Sequence, residues 1–456
     1  MDFRKLGLAA LMGVLVPVIA KAVTLPAGPI SFEMQVIENK FRAEGIAVAD
    51  INKDGNPDAM VGDYWYAGPT WARHEIKTPV AADIATDKYS DAFSIWTEDF
   101  NADGYPDQLV MPLMMTPVRW YENPKGSTAK WTPHDVGFGY TNEHPVYLPL
   151  FQNDAKRYLV AGSGTTGVTR ISYFSRKTDP NLPWTEVPVS ANGVLSSTLY
   201  YHGLGVGDVN KDGRNDILEA HGWYEQTADP TKWTFHSHTF VPVNSAAPLN
   251  SEVGFMYAYD FNGDGLNDVL SSSSHGYGVW WFEQKAGDVW VKHDIDVSFS
   301  ETHALHFEDM DNDGKPDLIT GKRYFAHGGN DPGALTPAVL VWYKYTLSGN
   351  TPKFDKFVIK SDSSGVGTDF DVSDFNADGY KDIAVANKAG IRIYMQIKPT
   401  TANRYVIQKK AYPQNSSSIR LTAVNGRLIN LGDQGNPGSL RIPGIAAGAI
   451  FTIPKN

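Results

Sequence analysis

Six copies of one nine-residue pattern, Asp-x-[Asn/Asp]-x-Asp-Gly-x-x-Asp, place oxygen side chains at alternating positions along most of this 456-residue chain. They supply Asp50, Asn52, Asp54 and Asp58; Asp99, Asn101, Asp103 and Asp107; Asp208, Asn210, Asp212 and Asp216; Asp260, Asn262, Asp264 and Asp268; Asp309, Asp311, Asp313 and Asp317; and Asp374, Asn376, Asp378 and Asp382. Side chains one, three and five converge on a point only where the chain turns sharply. Glycine at position six permits that turn, and the last Asp closes the cage. A flexible all-oxygen set suits calcium better than magnesium, which keeps its waters, or zinc, which prefers nitrogen and sulfur. Hairpin turns favour Asp, Asn and Gly without any metal. Agreement of six copies at the same four positions favours up to six calcium ions.

Counting back from these loops exposes a second set of groups. Six positions before each first Asp stand Glu44, Phe93, His202, Gly254, His303 and Thr368, with His144 at the matching place in a unit whose loop has decayed. Three of the chain's 12 histidines in one column read as a divalent metal site, His144, His202 and His303, with open positions for a substrate carbonyl and hydroxyl. Zinc, magnesium and manganese all stay open for it. Five residues past each last Asp, or beside those places, come His221, His275, Lys322, Arg323, Tyr324 and Lys388. Loss of water from a keto-sugar needs a base for the proton next to the carbonyl and an acid for the leaving hydroxyl. His221, His275, Lys322, Tyr324 and Lys388 are the groups available, with acid and base unassigned among them. The bland alternative treats a strand histidine as packed and a lysine as a solvated rim charge; His74 and His293 are read in that way.

These side chains need a scaffold that brings one alignment column to one place. Each loop lies between two apolar alternating runs. An aromatic run follows, such as Trp223-Tyr224-Glu225 or Trp280-Trp281-Phe282-Glu283, and then a fourth strand such as Trp290 to Ile295. Four short strands in about fifty residues is the pattern of a propeller blade. The first Asp residues are spaced by 49, 109, 52, 49 and 65 positions, so the double interval hides a further unit, in which Leu150, Asp154 and Tyr158 stand at ligand positions and no ion is expected. The expectation is an all-β, seven-bladed β-propeller with calcium-binding loops over residues 23–397, closed by a strand near Ile30 to Glu38. Residues 398–456 read as a small C-terminal β extension, with runs at 405–407, 419–421, 439–442 and 449–453. The first strand of each blade lines the channel, so the histidine column becomes a ring at the mouth opposite the calcium loops.

The loop and its flanking strands, over roughly residues 40 to 396, resemble the FG-GAP/VCBS repeat, which also builds the calcium-bearing propeller of integrin α-subunits. Ser274 to Trp281, Glu301 to His306 and Thr320 to His327 look like exported single-propeller proteins of bacteria. More distantly they resemble the propeller of aldos-2-ulose (1,5-anhydrofructose) dehydratases. That resemblance implies a metal-dependent cleft in which a keto-sugar loses water; the cupin and lectin-like domains of those enzymes have no counterpart here.

A formal charge of −11 is roughly what six dications would cancel, and no basic stripe indicates nucleic acid. With no cysteine, disulfides and thiolate chemistry are excluded. Arg4 and Lys5, the apolar run Leu6 to Ile19 and Ala20-Lys21-Ala22 read as a signal peptide over residues 1–22. The mature protein is therefore expected to be secreted or periplasmic and free of the membrane. The functional reading is a metal-dependent carbohydrate lyase or dehydratase, a carbon–oxygen lyase acting on a keto-sugar or oxidised sugar in the channel. Its alternative is a non-catalytic carbohydrate-binding or cell-surface adhesion propeller; either way the partner is a carbohydrate or a sugar-derived small molecule.

Overall fold

The computed structural model describes residues 23–79, 81–165, 168–193, 200–241, 253–362 and 365–398, and three short strands beyond them. The chain divides into two compact units, Met1–Ile397 and Lys398–Asn456. The signal peptide expected at 1–22 and the strands expected at 439–442 and 449–453 lie outside the described residues. Within the second unit, Tyr405–Ile407, Arg420–Ala423 and Leu428–Asn430 form an antiparallel three-stranded sheet.

The first unit is all-β in a propeller arrangement, and its regular helix among the described residues is the short 3-10 turn Ala326–Gly329. Each antiparallel meander follows the hydropathy of the sequence. The second strands, such as Asp58–Val61, Asp107–Met111 and Asp317–Gly321, are buried at every residue, whereas the fourth, such as Ala72–Glu75, are mostly exposed. Four sheets hold four strands each, and one holds five because Val23–Ala27 and Ile30–Glu38 add to the strand Gly390–Gln396. Five sheets therefore stand as single blades, not the seven expected. The difference comes from one contact: the first strands Leu204–Gly207 and Phe255–Tyr259 pair in parallel and fuse two meanders into an eight-stranded sheet. Gly205 makes that approach possible, because a Cβ there would collide with the Met256 carbonyl. At the strand Ile30–Glu38 the structure has the pairing expected of the N-terminal segment.

In all six loops the first Asp accepts the N–H groups of residues five and six, and the glycine at six takes φ of 86° to 97°. The ninth residue does more than close a cage. Asp58, Asp107, Asp216, Asp268, Asp317 and Asp382 are fully buried, and each accepts one N–H from the second loop residue. A second N–H comes from the later part of the third strand or just past it, at 2.6 to 2.9 Å. Burial pushes these carboxyls up to about 6 for Asp58 and about 7 for the other five. In the unit without the motif, Leu150 is fully buried and Tyr158 donates to Asp154 at 2.7 Å instead.

Replacing a ninth-position Asp therefore strands two amides. Asp268→Ala is expected to lower the unfolding free energy by about 3 kcal/mol, since each buried unsatisfied donor costs about 1–3 kcal/mol. Asp154→Ala, in the decayed loop, should cost under about 1 kcal/mol. Urea denaturation of the two variants checks this, and equal losses would show that the buried staple is not what the loop contributes.

Candidate metal centre

The histidine column converges. His144 and His303 are fully buried, and His202 and His275 are 7% and 8% exposed. Ring centroids stand 4.4 Å apart for His144 and His303, 5.4 Å for His202 and His303, and 4.5 Å for His202 and His275. His202, His275 and His303 each offer a ring nitrogen within 4.8 Å of the other two. His202 Nε2 and His275 Nε2 are 2.8 Å apart.

His144, expected as a ligand, is held by backbone. Its Nε2–H donates to the His303 carbonyl at 2.9 Å, and its Nδ1 accepts the Gly203 N–H at 3.4 Å. The Nε2 also stands 3.1 Å from His303 Nδ1, so His144 ties together the residues just before two first strands, Leu204–Gly207 and Leu305–Glu308. His275, which the second strand carries back toward the same mouth and which was expected to be catalytic, stands in the triad instead.

Carboxylates and one guanidinium complete a floor under these rings. Glu143 Oε2 lies 2.9 Å from His303 Nε2 and 3.7 Å from His202 Nε2, and it accepts from Arg323 Nη1 at 3.1 Å. Arg323, 2% exposed, reaches Glu44 across the channel at 3.5 Å. Glu44 in turn accepts from the Ser90 amide and hydroxyl. Burial raises the Glu143 carboxyl, but His202, His303 and Arg323 outweigh it and hold the group well below the usual range. At Glu44 burial wins and the carboxyl is pushed up. Burial also holds His144 and His303 well below the ordinary imidazole value, and brings His275 down to about 4 despite its bond to Asp331. Neutral imidazole is the form that ligates a metal, and burial favours that form at His275 and His303.

Above the triad sits the segment around the turn Ala326–Gly329. Asp331 accepts from His275 Nδ1 at 3.0 Å and from His327 Nδ1 at 2.9 Å. The His327 ring stacks on His275 at 4.4 Å, and its backbone is left-handed, φ 44°, a strained state for a non-glycine residue. Tyr89 gathers the remaining cations, with Lys388 Nζ 4.9 Å and Arg323 5.6 Å from its ring centre. Lys388 donates to the Phe325 carbonyl at 3.1 Å, and burial pulls its ammonium below the ordinary lysine value.

The other expected catalytic groups fare differently. Lys322 is fully buried, 3.2 Å from Glu301, and donates to Ser300, Thr336 and the Gly333 carbonyl, so it clasps the segment rather than facing a substrate. His221 is exposed beside the turn into Gly222–Gln226, and no hydrogen bond of its side chain to the cluster occurs among the described residues. Tyr324 is 38% exposed at the rim. Trp65 and Trp223 are buried, with His74 over Trp65 at 4.5 Å and His236 stacked on Trp223 at 4.1 Å, which makes them packing. His293 lies on Trp281 in the same manner. Glu143, Tyr89, His327 and Asp331 were not among the expected site residues. Glu143 is next to the column and could have been found there; Asp331 lies in a connection with no register to count from.

Glu301, beside this clasp, is pushed up to about 7 by burial, with Lys322 opposing. A carboxyl whose folded value exceeds its unfolded one stabilises the fold at low pH and loses that contribution as pH rises through the folded value. Thermal melts of Glu301→Gln should accordingly fall less between pH 5 and 8 than those of the parent chain. Parallel curves would exclude Glu301 as the titrating group.

Residues 260–320 match the FG-GAP-like repeat family. Comparison with curated protein sequences gives no match. Among solved structures, similar chains include a lectin of Agrocybe aegerita that recognises non-reducing terminal N-acetylglucosamine, at 13% identity and TM-score 0.42, covering 77% of this chain and 85% of that one. A rhamnogalacturonan lyase of Bacillus licheniformis is similar at 12% identity and TM-score 0.40, over 82% and 75%. BBS1N, solved with ARL6DN, is similar at 12% and TM-score 0.44, over 84% and 99%. These likenesses concern chain architecture and carry no argument about chemistry; the first unit is a β-propeller that includes an FG-GAP-like repeat over residues 260–320.

Proposed function

We propose that this chain is an exported propeller that holds a divalent metal at its channel mouth and removes water from a keto-sugar or oxidised sugar there. One observation carries the reading: three buried imidazoles, those of His202, His275 and His303, each offer a ring nitrogen within 4.8 Å of the other two. An all-nitrogen set favours zinc over magnesium. The bound ion would polarise a substrate ketone and acidify the neighbouring C–H. Glu143 and Asp331 orient His303 and His275 toward that point, and His144 fixes the strands beneath. Lys388, whose ammonium burial drives toward the neutral amine, is the base for the proton next to the ketone. The electron pair released forms the double bond as the hydroxyl on the next carbon leaves, taking a proton from His327 to depart as water.

The ring itself we read as seven blades, counting the eight-stranded sheet as two meanders joined edge to edge. The loops we read as calcium sites, held by side chains one, three and five, with the ninth residue serving chiefly as the staple described above. We read Ser274 to Trp281, Glu301 to His306 and Thr320 to His327 as distantly resembling the propeller of aldos-2-ulose dehydratases, a resemblance that would accord with this chemistry.

The test is metal content and turnover of oxidised sugars, followed by absorbance of the unsaturated product, in the parent and in His202→Ala/His303→Ala. A parent chain that binds glycans but holds no channel metal and forms no product in any metal state would establish the non-catalytic binding module instead.

A further inference from the structure

Two residues past the last Trp of the five third strands that carry one stand Ala67, Glu122, Glu225, Glu283 and, in one sheet only, Lys344. That place faces the loop. Glu283 accepts from the Asn262 side chain at 2.7 Å, and Lys344 reaches the corresponding residue of its own loop, Asp311. Five of the six loops carry Asn at position three and so hold three carboxylates; the loop of Asp309 carries Asp311 and holds four. The one lysine at the facing place thus coincides with the one additional carboxylate.

Local geometry differs in the same loop. In the other five, the position-three amide oxygen accepts the N–H of residue five at 2.9 to 3.1 Å. Among the described residues no such bond joins Asp313 N–H to Asp311. Asp311 Oδ2 is bound to Lys344 Nζ instead, its Oδ1 is buried without a hydrogen-bond partner, and Lys344 also meets Asp313 Oδ2 at 2.7 Å. The ammonium therefore takes oxygens at positions three and five, where a cation would be held. Burial opposes its charge, yet Asp311 and Asp313 outweigh burial and push Lys344 up to about 12. Asp309, Asp311 and Asp317 nonetheless offer oxygens within 4.8 Å of one another, so a competent set remains once the amine is gone.

We propose that Lys344 is the resident cation of the loop Asp309 to Asp317, so that this loop is built without calcium while its five counterparts take the ion. The proposal rests on the calcium reading of the loops. Calcium alone is titrated into chelator-stripped parent protein and into Lys344→Met, with bound metal counted after equilibrium dialysis. Lys344→Met is expected to bind one more equivalent than the parent, and Lys285→Met, beside the neighbouring loop, to bind the same number. Equal binding by parent and Lys344→Met overturns the role of Lys344 and leaves the other loops standing. Absence of calcium from every loop overturns the calcium reading and this inference with it. Should Lys344→Met fail to fold, Lys344→Gln is refolded with and without calcium. Folding only with calcium upholds the amine as a stand-in for the ion, and failure in both conditions overturns it.

Discussion

Protein carrying His202→Ala and His303→Ala is expected to retain no channel metal after dialysis and to turn over about a thousandfold more slowly, while its Asp-rich loops and its unfolding cooperativity persist. The size follows from the Lewis acid. Polarising a ketone is worth several kcal/mol, and each 1.36 kcal/mol is a factor of ten in rate. Two of three nitrogens at the common point are removed, and the remaining His275 cannot hold an ion alone. His144→Ala is the informative companion, because its side chain is outside the triad yet touches it, with Nε2 at the His303 carbonyl and 3.1 Å from His303 Nδ1 and with Nδ1 at the Gly203 amide. It should weaken metal binding by about 10- to 100-fold, as loss of an orienting partner does, and leave measurable turnover when metal is in excess. Undiminished metal and turnover in the double variant would remove the triad from the mechanism altogether.

Arg323→Met is expected to cost about 3–5 kcal/mol of unfolding free energy, among the largest single losses in the unit, because breaking a buried pair leaves a charge with nothing to compensate it. Arg323 joins Glu143 on one side of the channel to Glu44 on the other and is itself 2% exposed. Glu44, already pushed up by burial, can neutralise itself; Glu143, held far below the usual range, depends on its cations. Adding Glu143→Gln to Arg323→Met should therefore restore part of the loss, whereas Glu44→Gln should restore little. Urea unfolding of the four proteins measures the coupling. A loss below about 1 kcal/mol, the usual figure for an exposed pair, would mean that water reaches the pair in solution.

How much of this could be read from residues alone varies with distance from the loops. The strands and their order were legible because the Asp pattern marks one corner of each hairpin and the apolar alternation runs outward from it. His144, His202 and His303 were legible for the same reason, as a fixed count from that corner along an extended strand. What the count could not supply was ring orientation: His144 and His202 occupy the same column, yet one turns to backbone and the other to His275. Connections without a period were opaque. Tyr89 and Asp331 sit in stretches that differ from unit to unit, so no neighbouring copy announces their place. Lys322 was misleading in another way, since its register position is right but its ammonium is consumed by Glu301, Ser300 and Thr336. The fused sheet escaped because it depends on what Gly205 lacks rather than on what any residue presents.

The strand Ile30–Glu38 pairs with Gly390–Gln396, some 360 positions later. A segment emerging early from the ribosome therefore has no partner until nearly the whole ring has been made. Until then its edge and that of the last meander are both open to strangers, the state from which strand exchange between chains begins. Two molecules at high concentration could each complete the other's final sheet with no loss of contacts. Under the export proposed above, folding after release into a dilute medium would favour the closed monomer over the exchanged pair.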